Sequence, residues 1–151
     1  MSEPGDAQDI ESLILAMERA ALDRSDKGDA EGFLEISDPD VVYFDPFLEK
    51  PIHGLEELSA YYRRAFSVEE PFAGEILHPQ VQISGDTAVL TFNYVVKGQH
   101  SGRVTRWNAT EVYRETHAGW RIVHTHWSFL QPKLAPPEQP SGLNPPAPTG
   151  A

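Results

Sequence analysis

The apolar residues of this chain follow two different spacings, and the change comes about halfway along the sequence. Up to about residue 70 they recur every three or four positions, as along one face of an amphipathic helix. After Pro71 they alternate with polar residues, which is typical of half-buried strands. Because helices that precede a run of strands favour an α+β fold, this order predicts helices packed on one face of a curved, mainly antiparallel sheet.

The first half contains three segments with helical spacing. A first helix is expected up to Gly28, and Asp29 can cap a short second helix after it. A third begins after His53-Gly54 and has an apolar stripe along one side. Between the second and third helices, residues 41–44 are β-branched or aromatic and predict a short strand, which Asp45-Pro46 ends.

Four strand-like runs fill the second half, at about 74–83, 87–97, 103–115 and 120–130. Tight-turn sequences or a short polar loop separate neighbouring runs, so we expect an antiparallel meander. A sheet of this kind that curls around three helices leaves a concave pocket.

The composition changes at both ends of the chain. Residues 1–8 are polar and acidic, and we expect a flexible N-terminus there. Residues 132–151 hold seven of the 13 prolines, and proline fixes φ and has no N–H to donate. We therefore predict a domain over residues 9–131 and a Pro-rich tail after it.

The charge balance excludes several classes of partner. With 12 basic and 23 acidic residues, the formal net charge is −11, which is unfavourable for binding nucleic acid or an anionic bilayer. The chain has no cysteine, no apolar run of the length that a membrane helix needs and no visible signal peptide. The expected location is therefore the cytoplasm.

Strand alternation predicts which side chains face the pocket. In the third run the inward set is expected to be Arg103, Thr105, Trp107, Ala109, Glu111 and Tyr113. In the last run it is expected to be Arg121, Val123, Thr125, Trp127 and Phe129. The outer face of the last run would then hold Trp120, Ile122, His124, His126 and Ser128. A bulge in either strand would break this alternation.

Glu111 is the first candidate functional residue, because the predicted face surrounds it with Trp107, Tyr113 and Trp127. An unpaired charge is costly to bury, so such a carboxyl is expected to be neutral, paired or hydrogen-bonded, with a raised pKa. The structural alternative is a partly exposed glutamate that reaches past the rim of the sheet.

Asp45 is the second candidate, because it ends the first strand between Phe44 and Phe47. A carboxylate beside aromatic rings can serve as a general base. The alternative is an aspartate whose role is to form the turn before Pro46.

His124 and His126 lie two positions apart on one strand face, where two imidazoles can hold a metal. No third ligand has suitable spacing, so we predict no metal site and no cofactor. Together with Arg106, Asn108 and Thr110, the two histidines instead form a mixed polar face that suits a homodimer interface.

Two stretches carry a resemblance to a known family. The stretch GDAEGFLEISDPDVVYFDPFLEKPIHGLEELSAYYRR resembles the first half of ketosteroid isomerase and the SnoaL-like proteins of the NTF2-like superfamily. The stretch TEVYRETHAGWRIVHTHWS is similar both to that family and to the association domain of calcium/calmodulin-dependent kinase. The resemblance implies a cone-shaped α+β barrel that encloses a pocket.

The resemblance also implies roles for single residues. Asp45 of FDPF matches the proton-shuttling Asp of the isomerases, and Glu111 of TEVYR matches the protonated acid of their oxyanion hole. Trp127 matches a pocket-lining Trp, and Tyr62 matches a Tyr that supports the oxyanion donor. The main oxyanion Tyr is missing, because Ala21 stands at its position. The kinase association domains have Arg where this chain has Glu111.

Three functions remain open from the sequence. The chain could be an isomerase, lyase or cyclase that transfers a proton next to a carbonyl, with Asp45 and Glu111 as catalytic residues. It could instead bind a small apolar carbonyl compound without catalysis, or act as a dimerising association module. In the first two cases the binding residues are expected to be Tyr62, Trp107, Tyr113, Trp127 and Phe47.

Overall fold

A computed structural model of the chain describes residues 4–65 and 70–131. The three helices are α1 (Pro4–Asp26), α2 (Glu31–Leu34) and α3 (Leu55–Ala65). The six strands are β1 (Ser37–Phe44), β2 (Ile52–His53), β3 (Phe72–Ser84), β4 (Thr87–Gly98), β5 (Val104–Thr116) and β6 (Gly119–Phe129). The α+β class, the three helices and the four-stranded meander are confirmed, and β2 is an addition that the sequence did not predict.

The structure describes most of the predicted domain and part of the predicted N-terminal segment. Helix α1 begins at Pro4, before the boundary expected at residue 9. The division into residues 1–8, 9–131 and 132–151 stays a prediction, and the Pro-rich tail lies outside the described residues. None of the helices in the described ranges has the length and hydropathy needed to cross a membrane.

All six strands form one sheet in the order β2-β1-β6-β5-β4-β3. Strands β3 to β6 are a continuous antiparallel meander. The last strand returns to pair with β1 in parallel, with Tyr43 opposite Thr125 and Phe44 opposite His126. This pairing joins the two halves of the chain in a single curved sheet.

The helices cover the concave face of that sheet. Helix α1 buries a stripe at helical spacing, formed by Ile14, Glu18, Ala21 and Leu22. Helix α3 buries Leu58, Tyr61 and Tyr62. Opposite them, alternate residues of β4 point inward, namely Ala88, Leu90, Phe92, Tyr94 and Val96. The core is therefore one layer between helices and sheet.

A bulge in β6 corrects the predicted faces of that strand. Val112 pairs with His124 and Tyr113 pairs with Ile122, so Val123 is the extra residue between two ladder positions. The alternation therefore reverses at Val123, and Trp120 and Ile122 join the core, with 6% and 1% of their surface exposed. The prediction that these two residues lie on the outer face was wrong. In β5 the predicted inward face is confirmed between Ala109 and Tyr113. Ala109, Glu111 and Tyr113 are buried, and the two residues between them are only partly buried.

The bulge predicts an order of stability losses in β6. Replacing Ile122 by Ala should lower the free energy of unfolding by about 2–5 kcal/mol, because it opens a cavity in the core. Replacing Val123 by Ala should cost clearly less, because this residue is only half buried. Urea unfolding of both variants measures the difference. A larger loss of unfolding free energy for the Val123 variant than for the Ile122 variant would indicate strict alternation along β6 and would contradict the bulge.

Candidate functional site

The helices and the sheet enclose a cavity of about 530 Å³. Its wall comes from the end of α1, from α2 and α3, from the end of β1 and from the inner faces of β3 to β6. The lining residues are Leu22, Ser25, Asp26, Phe33, Tyr43, Asp45, Phe47, Tyr61, Tyr62, Ala65, Phe72, Tyr94, Val96, Thr105, Trp107 and Trp127. Most of these are aromatic or aliphatic, so the two aspartates are the strongly polar groups of the wall.

Asp45 lies at the end of β1 with 8% of its surface exposed. Its Oδ2 accepts hydrogen bonds from the hydroxyls of Tyr43 at 2.8 Å and Tyr61 at 2.7 Å. Its Oδ1 accepts one from the backbone N–H of Phe47 at 2.9 Å, which is the Asx turn expected of an Asp-Pro sequence. The turn and the cavity position therefore coexist, and three donors fix the carboxylate at the wall.

Aromatic rings pack edge to face around the opposite side of the cavity. The Trp127 ring centre lies 5.6 Å from those of Phe92 and Trp107 and 6.2 Å from that of Tyr94. Such perpendicular contacts fix the orientation of each ring. Phe47 is different, because 70% of its surface is exposed. Its ring packs on that of Phe129, with ring centres 5.6 Å apart.

Glu111 is completely buried, as its predicted surroundings required, but it does not line the cavity. Its carboxylate accepts a hydrogen bond from Thr125 in β6. The alternative of a partly exposed Glu111 at the sheet rim is excluded. The expectation that Asp45 and Glu111 open to one cavity is wrong, because Glu111 lies behind the wall.

Tyr113 likewise lies behind the wall, with none of its surface exposed. Its hydroxyl donates a hydrogen bond of 2.6 Å to Glu18 of α1. Glu18 was not predicted as a polar site, because it lies within an apolar helical stripe. Its position four residues after Ile14 on the core-facing stripe is the signal that could have found it.

Glu18 and Glu111 form a buried pair of carboxyls within hydrogen-bonding range of each other. Neither Oε2 atom has a donor from any other described residue. Two negative charges at this buried site are unfavourable, so the neutral form of a carboxyl is favoured. Burial and the neighbouring charge raise the pKa of Glu111 well above its ordinary value, and burial raises the pKa of Glu18.

Tyr62 connects this pair to the cavity. It lies on α3, lines the cavity, and is almost completely buried. Burial raises the pKa of its hydroxyl far above 10.0. Its ring also packs edge to face on Tyr43, with ring centres 5.2 Å apart. The hydroxyl of Tyr62 is therefore neutral, and Tyr62 lies near both Asp45 and Glu111.

Asp26 is the second cavity carboxyl, and sequence reasoning missed it. It is the last residue of α1, and its Oδ2 accepts a 2.5 Å hydrogen bond from the Tyr94 hydroxyl of β4. Burial, followed by the charge of Asp23, raises the pKa of Asp26 to about 6. No motif points to it, because its partner is 68 residues away in the chain.

The structure therefore brings five of the seven predicted site residues to one cavity: Asp45, Tyr62, Trp107, Trp127 and Phe47. Glu111 and Tyr113 instead form the polar layer behind it. On the outer face, the ring of His126 stacks on Phe44 at 4.2 Å. Across residues 4–65 and 70–131, no three His, Asp or Glu side chains are grouped as a metal would need.

Comparison with known proteins gives the family. The model of the SnoaL-like domain matches residues 14–132. The chain belongs to the SnoaL-like family. It shares 40% identity with a candidate ketosteroid isomerase from Parabacteroides distasonis ATCC 8503, over 82% of this chain and 90% of that one, with a TM-score of 0.72.

Two further structures extend the fold comparison. An NTF2-like protein of unknown function from Pseudomonas putida KT2440 matches with a TM-score of 0.74 at 20% identity, over 91% of this chain and 98% of that one. The CaMKII hub of S. rosetta matches with a TM-score of 0.65 at 27% identity, over 79% and 95%. The NTF2-like fold and both predicted resemblances are confirmed.

The burial of Glu111, which raises the pKa of its carboxyl, predicts a pH dependence of stability. Glutamate ordinarily titrates at 4.5, and the folded chain holds the proton of Glu111 to a higher pH. The free energy of unfolding should therefore fall as the pH rises above about 5, because only the unfolded chain releases that proton freely. In Glu111→Gln the fall should be smaller, since the amide has no proton to release.

Urea unfolding between pH 5 and pH 8 measures this slope. Glu115→Gln is the matched control, because it removes an exposed carboxylate from the same strand and should keep the wild-type slope. Equal slopes in the wild type and Glu111→Gln would contradict a raised pKa of Glu111 in the folded chain.

Proposed function

We propose that this chain binds a small, largely apolar carbonyl compound in its cavity, and that Asp45 takes a proton from the carbon next to the carbonyl. The observation that carries the proposal is a nearly buried carboxylate fixed at the wall of a cavity lined by aromatic rings. The 40% identity to a candidate ketosteroid isomerase supports the same reaction class.

The hydrogen bonds of Asp45 suit a general base. A carboxylate has about four acceptor positions, and Tyr43, Tyr61 and the Phe47 amide occupy three. The remaining position can take a proton from a ligand, while the three donors keep the group oriented. The apolar wall excludes water, which strengthens the electrostatic interactions inside the cavity.

The carbonyl oxygen needs a hydrogen-bond donor as negative charge develops on it. Ala21 has no hydroxyl, and Glu111 lies behind the wall. We assign this role to the hydroxyl of Tyr62, which lines the cavity and remains neutral. Glu111, which is buried behind the wall and holds its proton, is then not a donor to the ligand. Trp107 and Trp127 bind the apolar body of the ligand.

Replacing Asp45 by Asn tests the proposed base. Deuterium exchange at the carbon next to the carbonyl of 2-tetralone, followed by NMR in D₂O, reports proton abstraction directly. The variant should lower the protein-catalysed rate by about 10²-fold or more, because general-base catalysis contributes this much. Binding of 2-tetralone should change much less, since the cavity keeps its shape.

The control is Asp40→Asn, which neutralises an exposed carboxylate on the same strand and should leave the rate unchanged. Binding of 2-tetralone without exchange above background in the wild type would favour a non-catalytic binding protein. Full exchange activity in Asp45→Asn would remove Asp45 as the base.

We also propose that the chain forms a homodimer through the outer face of the sheet. On this face Phe44 stacks on His126, and the Asn93 amide donates a 2.7 Å hydrogen bond to Asn108. Burial and the charge of His126 lower the pKa of His124, which keeps that ring neutral. This face, which combines polar and aromatic side chains with Arg106, fits an interface between subunits.

A charge in the centre of this face should weaken the dimer. Sedimentation of the wild type at micromolar concentration should show a dimer, and His126→Asp should shift it toward the monomer through desolvation of the new carboxylate. His117→Asp is a control for an exposed histidine in the turn between β5 and β6 and should keep the dimer. A wild-type monomer would refute the interface.

A further inference from the structure

The charged side chains that line the cavity have only one sign. Within the described residues, the cavity lining contains two carboxyls and no Lys, Arg or His. Nine of its lining side chains are aromatic, and these are Phe33, Tyr43, Phe47, Tyr61, Tyr62, Phe72, Tyr94, Trp107 and Trp127. A ligand that carried a negative charge would have no counter-charge there and would lose its hydration.

The two carboxyls differ in how much they can still accept. Asp45 already receives three hydrogen bonds, whereas Asp26 receives one, from Tyr94. No Lys, Arg or His of the described ranges forms an ion pair with Asp26. Asp26 therefore has more acceptor positions left than Asp45 for a hydrogen-bond donor of a ligand.

Gly74 leaves room for the hydrogen bond between Tyr94 and Asp26. Gly74 of β3 lies beside this contact, and a Cβ at that position would overlap the Tyr94 hydroxyl and lie 2.8 Å from Asp26 Oδ2. The absence of a side chain at Gly74 thus lets the hydroxyl reach the carboxylate. Tyr94 also packs edge to face on Trp127, so the carboxyl lies next to the aromatic part of the wall.

A cation beside Asp26 would offset the cost of burying the negative charge of its carboxylate. Without a ligand, burial raises the pKa of this carboxyl to about 6, and the C-terminal end of α1 is an unfavourable place for a negative charge. A positive charge beside it would favour its ionised form. The faces of Trp and Tyr rings attract a desolvated cation as well. The net charge of −11 would in addition attract a cationic ligand to the protein.

We propose that the ligand of this cavity carries a protonated amine, and that Asp26 pairs with this amine while the aromatic rings enclose the apolar part of the molecule. This inference rests on the proposed ligand site and names the charge of the ligand. Tyr94 is a positioning residue that orients the carboxylate of Asp26.

Three probes of the same size and different charge test the inference on the wild-type protein. They are 2-phenylethylammonium, 2-phenylethanol and phenylacetate, measured by isothermal titration calorimetry at pH 7.5. The ammonium should bind at least about tenfold more tightly than the alcohol, and the carboxylate should bind most weakly. This comparison does not depend on the folding of any variant.

Asp26→Asn tests the residue itself, because the amide has the same shape and no charge. It should weaken binding of the ammonium by about tenfold and change binding of the alcohol by less than about twofold. Asp9→Asn is the matched control, since it neutralises an exposed carboxylate of the same helix that does not line the cavity. It should change the affinity for the ammonium by less than about twofold.

The outcomes separate this inference from the proposed function. Equal binding of the alcohol and the ammonium, or an unchanged ammonium affinity in Asp26→Asn, would overturn the pairing with Asp26 and leave the ligand cavity in place. Failure of all three probes to bind the wild type would overturn both the amine inference and the proposed ligand site. Tightest binding of phenylacetate would overturn the predicted charge of the ligand.

Discussion

The parallel pairing of β1 with β6 is the contact on which the rest of the architecture depends. It places Phe44 opposite His126, so the next residue, Asp45, leaves the strand beside the end of β6 that contains Trp127. Without this pairing, Asp45 would end a short strand with one two-residue neighbour, β2. The long connection through α3 and the meander is required, because parallel neighbours need a crossover. The carboxylate and the indole wall of the cavity thus meet through strand register.

The local features of the chain could be predicted from its sequence, and the long-range ones could not. The change of apolar period after Pro71 indicated the helices and the meander, and the aromatic residues of β5 indicated the inner face of that strand. The bulge at Val123 has no local signal, because Ile122 and Val123 are both suitable for a core. Contacts such as Asp26 with Tyr94 depend on how the layers meet, and no spacing within one element encodes them. The order of elements therefore carries more information than the side-chain pairs do.

Four carboxyls lie in or behind the same cavity, and their surroundings give them different properties. Glu18 and Glu111 are fully buried, and burial raises the pKa of both because it disfavours their charged forms. Asp45 is nearly as buried, yet three donors compensate its charge. Asp26 has one donor and a pKa of about 6, which leaves it sensitive to the charge of a ligand. The same functional group thus has different hydrogen-bond partners at each of the four positions.

This distribution also shows why a shared fold does not transfer residue roles within the NTF2-like superfamily. Family resemblance placed an oxyanion acid at Glu111, but in this chain Glu18 of α1 occupies the space beside it and withdraws it from the cavity. The same helix carries Ala21 in place of a hydroxyl and Asp26 at its end. The carboxyls of the cavity wall in this chain therefore lie at the end of β1 and at the end of α1. The sheet register that places Asp45 belongs to the fold, whereas the other groups that face the cavity depend on the sequence of the helices.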